Sequence, residues 1–363
     1  MPSAQDILAQ KFAEFEKNGG KAWTTVFQRI TMQSMKRVRQ LKLTCKEAHS
    51  AMNAEKNRYR DISPFDQCRV TIGPDQSYIN ASPVSVAQTK MHYILCQGPL
   101  DETSADMWQM VWEQKVSIIV MLNKLIERDQ LKCAPYFPMQ QGDVLTFESF
   151  KVKCDGEQED GDFCMRVLSV SKEDEEESRT ITHLQYTEWP DFGVPKSPSS
   201  FLHLLNKYRE LHSDISLPSI VHCSAGVGRS GSFVLADSVI RMIEGGTESV
   251  DMEDLLVSLR ESRMALIQTP QQLRFTWSAI VSYFESKKKE VKEEKSARKE
   301  EGEGKNNGKR EHEEGGEEED EVLRKRQEPS THSNTIAKGD ESWRSKVSFL
   351  YQGIVNTIAN ILS

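Results

Sequence analysis

The chain has 363 residues, 37% hydrophobic and 28% charged, which suits two average domains or one large α/β domain followed by something unfolded. A net charge of −8 argues against a general nucleic-acid binder, so no nucleic-acid partner is expected. The seven cysteines (45, 68, 96, 133, 154, 164 and 223) are odd in number and never closer than ten positions, which excludes a Cys-x-x-Cys zinc site and disfavours a disulfide framework.

The N-terminus, Met1-Pro2-Ser3-Ala4-Gln5-Asp6, is polar and lacks the apolar core of a signal peptide, which fits a reducing, cytoplasmic environment. Residues 3–18 carry Ile7, Leu8, Phe12 and Phe15 at helical spacing behind a Ser3 cap. From about residue 57 to 170, β-rich runs alternate with turns: Ser77 to Asn80, His92 to Cys96, and the continuous apolar run Val116 to Met121, which suits a strand buried on both faces. Thr103 to Gln114 reads as a helix feeding that strand. Helices dominate from residue 198, over 198–212, 229–244, 251–262 and 270–285. Strands flanked by helices give an α/β or α+β class.

Composition changes after Phe284. Residues 286–342 are almost all Lys, Glu, Gly, Ser and Asn, too polar to offset their ordering entropy, and are expected to be disordered. The end of the chain places Val347, Leu350, Ile354, Ile358 and Ile361 on one helical stripe, with Ser348, Gln352, Asn356 and Asn360 on another. The seventeen residues 347–363 would reach only about 25 Å, too short to span a bilayer comfortably. This amphipathic segment, 343–363, suits either a helix lying in a membrane surface or one docked on a partner or on the rest of the chain.

The chemistry centres on Cys223. A short strand, Ser219 to His222, runs into Cys223-Ser224-Ala225-Gly226-Val227-Gly228-Arg229-Ser230-Gly231, and a helix follows. A Cys-x5-Arg spacing is weak by itself. A strand, a small-residue loop and a helix N-terminus together make an anion cradle, since glycines let backbone N–H groups curl toward phosphate oxygens. Arg229 can hold two such oxygens. The same field favours a Cys223 thiolate, a nucleophile toward phosphorus.

His222 to Gly231 resembles the signature loop of the tyrosine-specific protein phosphatases. Further segments match that family in order: Lys56 to Asp61, Tyr78 to Ser82, Gln97 to Pro99, Trp189 to Pro195, and Gln268 to Gln272. The resemblance covers about residues 5–285 and is nearest the subgroup of T-cell protein tyrosine phosphatase and its endoplasmic-reticulum-anchored relative. It implies one catalytic domain (1–285) built on a central, highly twisted mixed sheet flanked by helices. It also implies hydrolysis of tyrosine-phosphorylated proteins without cofactor or metal, by a monomer. An internal membrane's cytosolic face is a second expected location, through the C-terminal segment.

By the same resemblance Cys223 is the nucleophile, and Arg229, with Ser224, Ala225, Gly226, Val227 and Gly228, holds the phosphate. Asp191, in a Pro/Gly loop, is the general acid and then the base, and Phe192 packs on the substrate ring. Tyr59 walls a deep slot that phosphoserine is too short to use. Asp61 accepts from the substrate backbone, and Arg60 favours acidic flanks. Gln268 and Gln272, expected four apart on one helix face, position water. Ser230 stabilises the departing thiolate, and Lys132 helps hold Asp191.

Pro270 departs from the pattern within the glutamine segment. Met35-Lys36-Arg37-Val38-Arg39 departs before Lys56, and is either a solvated face or a surface with a partner of its own. Two other readings are weighed: a phosphotyrosine-binding domain without turnover, and a dual-specificity or phosphoinositide phosphatase. The first commonly lacks the cysteine, arginine or lid aspartate, and the second lacks the Lys-Asn-Arg-Tyr segment; all are present here.

Overall fold

The computed structural model describes residues 2–190 and 193–307. Ser3 caps the first helix, α1 (Ala4–Lys17), in a reciprocal capping box with Asp6, so the expected helix starts where its cap dictates. A second helix, α2 (Gly19–Gln40), is not marked by the sequence reading; it starts at Gly19-Gly20, a pair with low helix propensity. It buries Trp23, Val26, Ile30 and Ser34. Trp23 meets Phe15 of α1 edge-on at a centroid distance of 5.1 Å.

The main sheet has eight strands: β1 (Ala81–Val86), β2 (Met91–Cys96), β3 (Ile118–Met121), β4 (Val144–Phe147), β5 (Phe150–Glu159), β6 (Phe163–Lys172), β7 (Ser178–Tyr186) and β8 (Ser219–His222). Their spatial order is β1-β2-β8-β3-β7-β6-β5-β4. The central run β2-β8-β3-β7 is parallel. The flanking pairs are antiparallel, so the mixed sheet expected from the sequence is observed. β3 and β8 are buried at every residue, which is what strands covered on both faces require. β7 lies beyond the β-rich stretch that the sequence reading marks.

The remaining helices are α3 (Ser104–Glu113), α4 (Ser199–Leu211), α5 (Gly228–Glu244), α6 (Met252–Ser262) and α7 (Pro270–Asn307). α5 is buried along nearly all its length, and Phe233, Val234, Leu235 and Ile240 pack into the core with Phe201, Leu205 and Tyr208 of α4. α7 starts where expected but passes the expected boundary at 285 and stays helical to Asn307. Its Lys and Glu residues are good helix formers, and Lys287 pairs with Glu290 across one turn at 3.0 Å. The chain divides after Ser286, so the Lys287–Asn307 part of α7 is described by itself. The rest of the expected linker and the amphipathic segment 343–363 lie outside the described residues. Among the described residues, no helix is long and apolar enough to cross a membrane.

Candidate active site

β8 is an inner strand of the parallel run, and its carboxyl end delivers Cys223 into a cleft of about 400 Å³. Cys223 is 5% exposed and lines that cleft. The loop that follows has its carbonyls fastened from outside. Gly98 N–H donates to Ser224 O at 2.9 Å, and Ile267 N–H to Val227 O at 3.0 Å. The guanidinium of Arg263 donates to Gly226 O at 2.8 Å and Ala225 O at 3.1 Å. In a trans peptide the N–H points opposite the C=O, so the amides of residues 225–228 are turned away from these anchors. That is the geometry of an anion-binding nest, continued by the first turn of α5.

Glycine is required at one point of this loop and closely approached by side chains at another. Gly226 has φ +68°, and a Cβ there would lie 1.9 Å from Cys96 O. A Cβ on Gly228 would lie 2.7 Å from Gln268 Oε1 and 2.9 Å from Gln272 Nε2, so both glutamine side chains press against the loop. The two do not share a helix face as expected. Gln268 precedes α7 and Gln272 is its third residue, with Pro270 at the first helical position, where its missing N–H costs nothing. Thr269 Oγ1 accepts from Gln272 N–H at 3.1 Å, and Gln272 Oε1 accepts from Gln268 N–H at 2.8 Å. Both glutamines still line the cleft with Cys223.

Arg229 is held by a residue the sequence reading misses. Glu127 accepts from both of its terminal nitrogens, at 2.5 and 2.8 Å, and Leu122 O accepts a third bond at 3.0 Å. Such a fork fixes the plane of the guanidinium. Arg263 is the second omission: fully buried, it also bonds Asn80 Oδ1 and Ser82 Oγ.

Tyr59, Asp61, Lys132, Ser224, Ala225 and Arg229 line the same cleft. Ser224 Oγ donates to Lys132 O at 2.9 Å, so its one proton is used and the Tyr59 hydroxyl must donate to Ser224 Oγ, also at 2.9 Å. That bond sets the Tyr59 ring upright beside the loop. Arg58 ties the tyrosine's segment down, donating to Gly98 O at 2.9 Å and Pro99 O at 2.6 Å, while Gln97 accepts from Arg58 N–H. Two segments that carried the resemblance are thus one hydrogen-bonded unit.

Arg60 is exposed and is not among the cleft-lining residues. Lys132 Nζ donates to Gln130 Oε1 at 2.7 Å. Ser230 is fully buried, and its hydroxyl has no hydrogen-bond partner among the described residues. Gly226, Val227 and Gly228 are buried and are not among the cleft-lining residues. Asp191 and Phe192 lie outside the described residues; beside them Trp189 Nε1 donates to Gly193 O at 3.1 Å, and Gly193 takes φ +73°.

Beneath the loop, the Tyr136 hydroxyl bonds His222 Nε2 at 2.7 Å and His183 Nε2 at 3.0 Å. Burial holds His222 down to about 4 and depresses His183 as well, so both are neutral near pH 7. Burial pushes the Cys96 thiol up to about 12, Cys164 likewise to about 12 and Cys45 to about 11. The only metal-competent grouping among the described residues is Glu157, Glu159 and Cys164. Glu157 is already paired with Arg166 at 2.9 Å, and none of the three lines the cleft.

A family model described as protein-tyrosine phosphatase matches residues 53–282. Tyrosine-protein phosphatase non-receptor type 2 of Rattus norvegicus is 45% identical over 234 residues, covering 63% of this chain and 56% of its own length. The Homo sapiens protein of that name is 44% identical over the same length and shares. Tyrosine-protein phosphatase non-receptor type 61F of Drosophila melanogaster is 36% identical over 287 residues, 77% of this chain and 52% of its own. The chain therefore spans little more than half the length of these relatives.

Proposed function

Because this chain belongs to the protein-tyrosine phosphatase family, we propose that it hydrolyses phosphotyrosine in proteins through a cysteinyl-phosphate intermediate, reversing the action of tyrosine kinases. The observation that carries this reading is the loop whose carbonyls are all engaged behind it, with Cys223 lining the cleft and Arg229 fixed by Glu127. The Cys223 thiolate attacks phosphorus, the bond to the tyrosine oxygen breaks, and Asp191 gives its proton to the departing phenolate. Charge gathering on the phosphoryl oxygens meets the loop amides and Arg229. Water positioned by Gln268 and Gln272 then gives a proton to Asp191 and attacks phosphorus. Phosphate leaves, and the thiolate returns with Ser230 as hydrogen-bond donor. Tyr59, upright beside the loop, makes the slot deep enough for an aryl phosphate, with Phe192 on the other side of the ring and Asp61 and Arg60 outside it.

Asp191, Phe192 and Lys132 enter this scheme by resemblance. A monomeric state enters the same way, whereas a cytoplasmic location and a membrane-surface or docking role for residues 343–363 rest on the sequence pattern alone. The test is hydrolysis of paired phosphotyrosyl and phosphoseryl peptides. Wild type should strongly prefer the former, and Cys223→Ser should bind it without turnover. Comparable kcat/KM for the two peptides, or substantial turnover by the variant, would refute the assignment.

A further inference from the structure

Residues 21–46 contain seven cations (Lys21, Arg29, Lys36, Arg37, Arg39, Lys42 and Lys46) and no carboxylate, in a chain whose net charge is −8. The stretch lies ahead of the family match at 53–282, so the shared catalytic chemistry does not account for it. Two of its cations are used in packing against α6: Arg29 pairs with Glu253 at 2.7 Å and Arg37 with Glu261 at 2.6 Å. Lys36, Arg39, Lys42 and Lys46 are exposed, and no side-chain partner is found for them among the described residues.

Helical geometry sorts these groups by face. Trp23, Val26, Ile30 and Ser34 point inward. Met32, Met35, Lys36 and Arg39 are spaced three and four apart on the opposite side. The methionines stand proud of the surface at 71% and 53% exposure, and Leu41 at the helix end is 45% exposed. α2 ends in a Schellman turn, with Lys42 N–H on Arg39 O at 3.2 Å and Leu43 N–H on Val38 O at 3.1 Å. The left-handed position of that turn, usually glycine, is Lys42 at φ +53°. A lysine thus stands where glycine would be easier, next to the exposed Leu41 at the helix end.

We propose that Met32, Met35, Lys36, Arg39 and Lys42 form a docking surface for a bilayer carrying anionic phospholipid. The face is a convex helix with flexible apolar side chains between cations. That shape settles into a headgroup layer, whereas a protein partner would need a matching groove. Each cation near an anionic leaflet adds attraction that salt screens.

The test uses the full chain, with vesicles of phosphatidylcholine alone or mixed with phosphatidylserine. Wild type should sediment with the mixed vesicles and be released by salt. The double variant Lys36→Gln/Arg39→Gln should bind roughly 30-fold more weakly, and Met32→Ser/Met35→Ser should also lose affinity. Residues 343–363 are the same in every variant, so any binding they supply is a constant background. Lys42→Gly separates binding from folding: it should raise Tm by relieving the left-handed lysine while weakening binding about fivefold. Equal sedimentation of wild type and the charge variant would overturn the proposal. So would binding of soluble polyglutamate through these residues with no binding to vesicles, which would assign the face to an acidic protein.

Discussion

The phosphate loop and helix α2 both rely on arginine, in opposite ways. Under the loop, Arg263 is fully buried and bonds two loop carbonyls, Asn80 and Ser82, all of them uncharged groups. Along α2, Arg29 and Arg37 reach carboxylates on α6 with their side chains about half exposed. The buried guanidinium cannot leave without stranding polar groups in the interior, so it fixes geometry. The exposed ones exchange water for a carboxylate at little net gain, and the helix is held by Trp23, Val26 and Ile30 instead. One region is over-determined and therefore intolerant. The other keeps spare surface on which new binding chemistry can be carried.

The severest way to break this contrast is Gly226→Ala. The added methyl would overlap Cys96 O, and the residue would keep a left-handed backbone, so the loop must shift. A stability loss of about 3 kcal/mol is expected in denaturant unfolding. Turnover should fall at least roughly 10²-fold, since small misplacements of a reacting constellation cost that much. Near-normal kcat in a folded variant would mean the loop is not rigidly set.

Arg263→Met removes the buried donor but keeps much of its volume. Ala225 O and Gly226 O would lose their partner, for a cost of roughly 3 kcal/mol. As Arg263 acts on the loop and not on substrate, the phosphate-binding affinity should fall along with stability. Unchanged phosphate inhibition in this variant would show that the carbonyl anchors do not shape the cradle.

Acid should sharpen the difference, because His222 and His183, which resist protonation, lie under the loop. His222 titrates at about 4 in the folded chain and near 6.5 when unfolded. Between those values the unfolded state binds more protons, so stability is complete above about 6.5 and is lost as pH falls toward 4. His222 alone accounts for about 3 kcal/mol over that window, and His183 and His212 act in the same direction. Urea midpoints measured from pH 7 down to 4 should fall steadily, and His222→Gln should flatten the curve. A flat wild-type curve would contradict a neutral buried histidine.

What could be read from the chain follows the same division. β8, α5 and α6 appear within a residue or two of their expected bounds, because a buried apolar run or an N-cap such as Asp251 acts locally. Cys223, Arg229, Tyr59, Gln268 and Gln272 were named from a motif and are brought to one cleft. Arg263 and Glu127 were not, since their partners lie 37 and 102 positions away and nothing near them signals it. The position of Gln268 outside α7 was legible: Thr269-Pro270-Gln271-Gln272 is a cap, a proline at the first helical position and a glutamine at the third. α2 was not marked, and its start at Gly19-Gly20 carries no helix signal.

The smallest expected effect is the most exacting test of the contrast. Arg29→Ala removes two short bonds to Glu253, each 2.7 Å, which look as strong as any made by Arg263. Three features blunt the loss. The Arg29 side chain is 49% exposed, so water replaces much of what the carboxylate gave. Lys11 Nζ stands 3.9 Å from the same carboxylate and keeps it partly compensated. Glu253 lies in the first turn of α6, where the helix dipole favours its charge with or without a partner. Unfolding should therefore cost less than about 1 kcal/mol relative to wild type, and less again in high salt. Turnover should be unchanged, because α2 contributes no residue to the cleft. If Arg29→Ala proved as damaging as Arg263→Met, burial would not be what separates the two arginines, and the account of both regions would have to be rebuilt.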